Sequence, residues 1–316
     1  MVAEPESIWN VGAELGEGPV WVERDQALWF VDIKRRRIHQ FNPTSGNKRS
    51  WDSPEQVGFI LPARNGGFVA GLQSGLYRFD ESDGSFECLT LVEPELAGNR
   101  LNDGAVDGKG RLWFGTMDNG ESAKSGGFYC FERGELREVG LSEIAITNGP
   151  AVSPDGCTLY TVDTLGGTIS ASPIGDDGRL GPPRPFVRIA PDEGYPDGPT
   201  VDCEGCVWIS LYAGSEARRY SPAGELVRRV KFPVANITKI AFGGANLKTA
   251  FATTARQMLT AEQIEAQPHA GDLFSFQVDV PGVPCPLIEI GPAASLPVCY
   301  YRFQSRRSPR QRSRRR

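Results

Sequence analysis

The chain is poor in the residues that most hydrolases use. It has two histidines, His39 and His269, in 316 residues. That excludes a three-histidine zinc site and leaves a Ser-His-Asp triad little to work with. His39 falls in RRRIHQF, read as an outer strand, and His269 in a proline-flanked loop. Both are read as structural. The GxSxG, phosphate-loop and GxGxxG patterns are missing. Neither DESDG (80–84) nor GDDGRLG (175–181) continues into a full calcium-binding loop, so both read as hairpin turns. No apolar run approaches the ~18–20 residues that cross a bilayer, which excludes an integral membrane protein built on apolar helices. The first ten residues, MVAEPESIWN, lack the basic flank and apolar centre of a secretory signal. The expected location is the cytoplasm.

Seven cysteines at irregular spacing make an odd count, which does not suit a disulfide framework. Cys203-Glu-Gly-Cys206 matches CxxC but has no second pair near it, and it sits where other repeats carry a turn. Charge is also uneven. Residues 302–316, RFQSRRSPRQRSRRR, hold eight of the 34 basic residues and no acid, so the first 301 residues stand at −13 although the whole chain stands at −5. An acidic body is unsuited to nucleic acid. The Arg-rich stretch from 293 to 316 reads as a solvated, disordered tail of no assigned role.

What the sequence has in quantity is one repeated pattern. EGPVWVERDQALWFVD (17–32), VGFILPARNGGFVAGL (57–72), NDGAVDGKGRLWFGTMD (102–118), NGPAVSPDGCTLYTVD (148–163), DGPTVDCEGCVWISLY (197–212) and ITKIAFGGANLKTAFATT (237–254) each give a short apolar strand, a turn and a second strand rich in aromatic and β-branched residues. Their starts lie 40–49 residues apart, the spacing of four-stranded propeller blades. Third and fourth strands follow in GGFYCFERGELREVG (126–140) and GSEARRYSPAGELVRRV (214–230). One helix is expected after Thr260, where Thr-Ala-Glu-Gln makes a capping box. The expected fold is all-β, a six-bladed β-propeller over residues 1–292 with a central metal site.

The copies differ at the start of the first strand, which in a propeller lines the central channel. Those positions read Glu17-Gly-Pro, Gly58-Phe, Asn102-Asp103-Gly, Asn148-Gly-Pro, Asp197-Gly-Pro and Thr238-Lys. Asn-Gly and Asp-Gly also form turns readily, but Glu17 does not, and turns do not account for carboxylate and amide oxygens repeated at one mouth. Carboxylates gathered without a counter-charge repel, and a cation removes the repulsion. Such hard ligands suit Ca²⁺, Mg²⁺ or Mn²⁺, with Fe²⁺ or Zn²⁺ also accommodated.

With LGEGPVW, WFVDIKRRRIHQFNP, RLNDGAVDGKGRLWFGTMD, ITNGPAVSPDG, YPDGPTVDCEG and KIAFGGANLKTAFATTARQ in view, the chain resembles the SMP-30/gluconolactonase/regucalcin-like family of propeller lactonases. Among these it looks most like bacterial sugar lactonases of the xylonolactonase type. The resemblance runs from Leu15 to about Val283 and stops after Pro284, which leaves closure of the sixth blade open. It implies metal ligands at Glu17, Asn148 and Asp197, substrate contacts at Arg100 and Asn102, and a substrate-facing loop at DNGESAKS (118–125). The implied activity is metal-dependent hydrolysis of an aldonolactone, such as xylono- or gluconolactone, with Asp197 as general base. A non-catalytic metal-binding propeller and a hydrolase of another ester class are the alternatives.

Overall fold

The computed structural model describes residues 4–291 and the backbone of Arg302–Phe303. After the N-terminal strand β1 (Glu6–Trp9), the chain makes five four-stranded antiparallel meanders and a sixth of three strands. Unit one holds β2 (Gly16–Val22), β3 (Ala27–Asp32), β4 (Arg37–Phe41) and β5 (Lys48–Asp52); unit two holds β6 (Val57–Pro62), β7 (Phe68–Leu72), β8 (Gly75–Asp80) and β9 (Ser85–Leu91). Unit three is β10 (Asn99–Val106), β11 (Leu112–Asp118), β12 (Phe128–Glu132) and β13 (Glu135–Glu138). Unit four is β14 (Thr147–Val152), β15 (Thr158–Asp163), β16 (Thr168–Pro173) and β17 (Arg184–Arg188). Unit five is β18 (Tyr195–Val201), β19 (Val207–Tyr212), β20 (Glu216–Tyr220) and β21 (Leu226–Lys231). Unit six takes β22 (Ile237–Gly243), β23 (Thr249–Thr254) and β24 (Leu273–Gln277), with α1 (Ala261–Ala266) between the last two.

The fourth strand of unit six comes from the other end of the chain. β1 pairs with β24, Ser7 against Phe274, so the first strand completes the last unit. Each first strand also packs against the next, β2 on β6, β6 on β10 and so on to β22, which returns to β2. The result is a closed circuit. This all-β arrangement agrees with the expectation from the repeats. Among the described residues no helix is long and apolar enough to cross a membrane.

Burial grades outward through each unit. β2, β6 and β22 are buried along their whole length, whereas β5 and β13 are mostly exposed. This explains why the first strands read as small and apolar residues beyond the polar positions at one end, and the fourth as Lys-Arg-Ser or Glu-Leu-Arg-Glu. Large aromatics, including Trp29, Phe68, Phe79 and Phe114, fill the space between neighbouring sheets. The turn after the first strand repeats one tie. Asp25, Asp107 and Asp202 accept the indole N–H of Trp29, Trp113 and Trp208 at 2.9, 2.8 and 2.9 Å. Asp202 also takes the amides of Glu204 and Cys206, both at 3.1 Å. The CxxC is therefore a turn, with Cys203 exposed and Cys206 buried.

Beyond β24 the chain crosses the ring at the end that carries these turns. Pro281 accepts from the Cys203 amide and Gly282 donates to Leu247, tying it to units five and six. Ile288 exchanges backbone bonds with Pro62 and Arg64, and Glu289 donates to Gly110, tying it to units two and three. Val283 to Pro286 thereby line a cavity of about 500 Å³ under the ring. The tail expected from 293 lies outside the described residues except for β25 (Arg302–Phe303), which pairs with Phe86 and Glu87 on β9 where the sequence suggested no structure.

Candidate active site

The six first strands share an irregularity at the same end. Pairing register slips between Glu17 and Val20, Val57 and Phe59, Leu101 and Gly104, Asn148 and Ala151, Pro196 and Pro199, and Ile237 and Lys239. A bulge inserts a residue, bends the strand and re-aims the side chains beside it. The Glu-Gly-Pro, Asn-Asp-Gly, Asn-Gly-Pro and Asp-Gly-Pro sequences are thus bulges inside strands rather than turns between them. Gly18 and Gly149, at φ 54° and 75°, take the left-handed conformation that a side chain resists.

These bulges bring Glu17, Asn102, Asn148 and Asp197 to one mouth of the ring, all buried. A chain of side-chain hydrogen bonds crosses units three to five. Arg100 Nη1 donates to Asn102 Oδ1 at 2.6 Å, Asn102 Nδ2 to Asn148 Oδ1 at 3.0 Å, and Asn148 Nδ2 to Thr164 Oγ1 at 2.9 Å. Thr164 Oγ1 in turn donates to the Pro196 carbonyl at 2.9 Å, next to Asp197. Arg100, Asn102 and Asn148 are therefore held in one network, and Thr164, which sequence reasoning passed over, anchors it.

Glu17 and Asp197 face each other. Burial and the neighbouring Asp103 raise the Glu17 carboxyl to about 7, against the opposing pull of the Gly18 amide, Lys239 and Arg100. Burial, then Glu17 and Asp103, raise Asp197 well above the usual carboxylate range. Arg100 is fully enclosed, and burial pulls it down while Glu121, Glu17 and Asp197 hold it up. A guanidinium stays protonated at neutral pH even so.

Two observations bear on whether a cation fits. Asp197 Oδ1 is buried and has no hydrogen-bond partner, as is Arg100 Nε, and such orphaned groups are rare unless a ligand or ion satisfies them. Among the described residues no three His, Cys, Asp or Glu side chains are grouped to hold a metal, so the third protein donor would be the Asn148 amide oxygen. Two carboxylates and an amide are oxygen donors throughout, which suits a hard divalent cation. The residues present fit such an ion.

The mouth is roofed by loop 118–125. Asp118 accepts the amides of Gly120, Ser122 and Ala123 at 3.1, 3.0 and 2.8 Å, which hold its carboxyl down near 2 and fix the loop. This shape carries Glu121 to within 2.8 Å of Gln257 Nε2 and 4.0 Å of Lys34 Nζ. Lys34 also donates to Asn119 at 3.1 Å, so loops from units one, three and six meet above Arg100. Asp103, which follows Asn102 at the strand start, turns away from the mouth and pairs with Lys239, at 2.6 Å to each carboxylate oxygen. Lys239 was visible in the sequence only as the residue after Thr238 in the sixth repeat. Glu121 was signalled only by lying in the loop 118–125 that the resemblance implied faces substrate, and Lys34 carried no signal beyond lying in a loop. His39 and His269 are placed as structural groups, bonded to Ser50 and Asp272 at 2.8 and 2.9 Å.

Known proteins place this chain in a family. The sequence matches the SMP-30/Gluconolactonase/LRE-like region over residues 15–256. It is 32% identical over 274 residues to a 6-deoxy-6-sulfogluconolactonase from Pseudomonas putida, an alignment covering 86% of this chain and 94% of that protein. It is 34% identical over 267 residues to an L-arabinolactonase from Azospirillum brasilense, covering 83% and 88% respectively. Among solved structures, a calcium-binding regucalcin from Agrobacterium tumefaciens superposes with a TM-score of 0.87 at 28% identity, over 90% of this chain and 97% of that one. The chain belongs to the SMP-30/gluconolactonase/regucalcin-like family.

Proposed function

We propose that the protein is a six-bladed propeller that hydrolyses a sugar lactone with a divalent cation held by Glu17, Asn148 and Asp197. The observation that carries this reading is the buried Glu17–Asp197 pair, with one Asp197 oxygen unpartnered and the Arg100 guanidinium beside it. The lactonase names of the relatives in Pseudomonas and Azospirillum support the substrate class. Ca²⁺, Mg²⁺, Mn²⁺, Zn²⁺ and Fe²⁺ are the candidate ions. Once bound, such an ion supplies Lewis-acid polarisation of the lactone carbonyl and lowers the pKa of water.

The chain's own residues do the rest. Arg100, with Nη1 fixed on Asn102, offers its unpartnered Nε–H to the oxyanion that forms as water adds to the carbonyl carbon. Asp197 accepts the proton from that water and returns it to the ring oxygen as the C–O bond breaks. Asn102 holds Arg100 and Asn148 in register. Glu121 and Lys34 stand above them and can hydrogen-bond the sugar hydroxyls. The same reading puts the enzyme in the cytoplasm, where exposed thiols such as those of Cys157 and Cys203 stay reduced.

The test is acid release from D-xylono-, D-glucono-, L-arabino- and 6-deoxy-6-sulfogluconolactone by chelator-stripped protein, with single divalent ions added back. Activity should return with at least one ion and be lost, at least a hundredfold, in Glu17→Gln. Rates no higher than spontaneous hydrolysis with every ion and lactone would sink the proposal.

A further inference from the structure

The channel already contains a cation of its own. Lys239 leaves β22 one position past that strand's bulge, and its ammonium lies 2.6 Å from both oxygens of Asp103, which also accepts the Gly104 amide at 2.8 Å. Both side chains are buried, 9% and 3% exposed. An ion pair at this depth is costly to desolvate and is a weak source of net stability, so its presence calls for another account.

Its position gives one. The aliphatic stem of Lys239 passes over Gly198, where a Cβ would stand 2.6 Å from Cγ. Gly198 is the neighbour of Asp197. Lys239 therefore passes directly beneath the acid pair and reaches across the channel from unit six to unit three. Lys239 also lines the cavity on the far side, so its stem stands as a septum between the mouth and that cavity. Asp103 acts electrostatically on Glu17 and on Asp197, and Lys239 acts on Glu17 with the opposite sign. Three channel carboxylates thus face two fixed cations, Arg100 and Lys239.

We propose that Lys239 is a built-in counter-ion, a positioning residue that neutralises Asp103 and so confines a single divalent ion to the Glu17–Asn148–Asp197 mouth at moderated affinity. An ammonium fixed in place of a second exchangeable ion keeps the third carboxylate from competing for the metal or drawing it down the channel. The septum also leaves the far cavity without ion traffic from the mouth.

This rests on the metal reading of the mouth, and titration calorimetry of the chelator-stripped full-length protein with Mn²⁺ and Ca²⁺ separates the two. If the unaltered protein binds neither ion, the metal reading itself fails. If it binds one equivalent, Lys239→Met should tighten binding, because Asp103 is left as an uncompensated charge, by on the order of tenfold for one unit of charge at partial burial. Asp103→Asn should weaken binding by a similar factor, since the ammonium then repels the ion. The double variant, with both charges gone, should return to within about threefold of the original. Circular dichroism checks folding, and Lys239→Gln, which can still hydrogen-bond Asp103, stands in if the Met variant does not fold. Opposite shifts that cancel in the double variant are not what a packing role produces. Shifts of the same sign, no shift, or a double variant that stays displaced would each overturn the counter-ion role.

Discussion

His39 offers a prediction whose magnitude follows from its surroundings. Its ring lies between Phe30, stacked at 4.9 Å, and Trp9, edge-on at 5.4 Å, and Nδ1 meets Ser50 Oγ at 2.8 Å. Burial in this aromatic slot disfavours the imidazolium and pushes the ring down to about 4, with Asp32 pulling the other way and Arg37 and Arg35 adding to the depression. The unfolded chain titrates near the ordinary value of about 6.5. The unfolded state therefore takes up a proton first as the pH falls. Stability is whole above pH 6.5 and declines between 6.5 and 4. The full shift corresponds to about 3 kcal/mol, and at pH 4.5 some 2.5 kcal/mol of it, as an order of magnitude, should already be gone. His39→Phe keeps the aromatic packing and removes the titration. Its lost bond to Ser50 costs the same at every pH and cancels in the comparison, as do the carboxylates common to both proteins. Urea unfolding at pH 7.5 and 4.5, in chelator, should show the stability drop on acidification to be about 2–3 kcal/mol smaller in His39→Phe. If both proteins lose the same amount, the ring is not held neutral by burial and the reasoning fails.

Three further outcomes test other parts of the argument. Thr164→Val removes the hydroxyl that accepts from Asn148 and donates to Pro196; divalent-ion affinity, read by calorimetry, should fall about 10–100-fold, as for other groups that orient a ligand, and Thr164→Ser should restore most of it. Asp202→Ala strips the acceptor from Trp208 and from Arg219 Nε, 2.9 and 2.7 Å away; the loss, measured by denaturant titration, should be about 3 kcal/mol because two buried donors are left unsatisfied, although Arg219 Nη2 keeps Glu204 at 2.7 Å. Glu121→Gln removes a charge from the roof of the mouth, 2.8 Å from Gln257; lactone KM should rise several-fold while calorimetric metal affinity changes less than twofold, and a lost metal site would show that Glu121 belongs with the ligands instead.

How much of this could be read beforehand depends on whether the information was local. The strand–turn–strand repeat, the Thr260 capping box and the placement of Glu17, Asn148 and Asp197 at equivalent positions are carried by short stretches, and comparing one repeat with the next was enough to find them. The structure bonds the box as expected, Thr260 N to Gln263 at 2.8 Å and Gln263 N to Thr260 at 3.3 Å. Contacts between distant units left no such trace. Lys239 and Asp103 are 136 residues apart, and a lysine met alone in a sequence reads as a solvated charge. Glu6–Trp9 lies outside the repeats and shows its place only as the outer partner of Leu273–Gln277. Residues 281–291 have no strand pattern, because their bonds are spread over four units rather than laid along one neighbour.

The equivalent positions also explain why the site is lopsided. Six bulges point six slots at the mouth, yet the second repeat supplies Gly58 and no ligand. A Cβ at Gly58 would collide with the backbone carbonyls of Leu101 and Asn102 from unit three, so that slot is closed by the neighbour that carries the Arg100–Asn102 pair. Unit three pushes in, and unit two gives way. The sixth slot holds Thr238, whose hydroxyl turns to the Gly16 carbonyl at 2.6 Å, and Lys239 follows it with its stem over Gly198. With one slot shut and one turned to the backbone, the oxygen donors are left on units one, three, four and five. Arg100 approaches beside the closed slot. A ring of near-identical units thus gains a front and a back, with acid on one side of the mouth and guanidinium on the other.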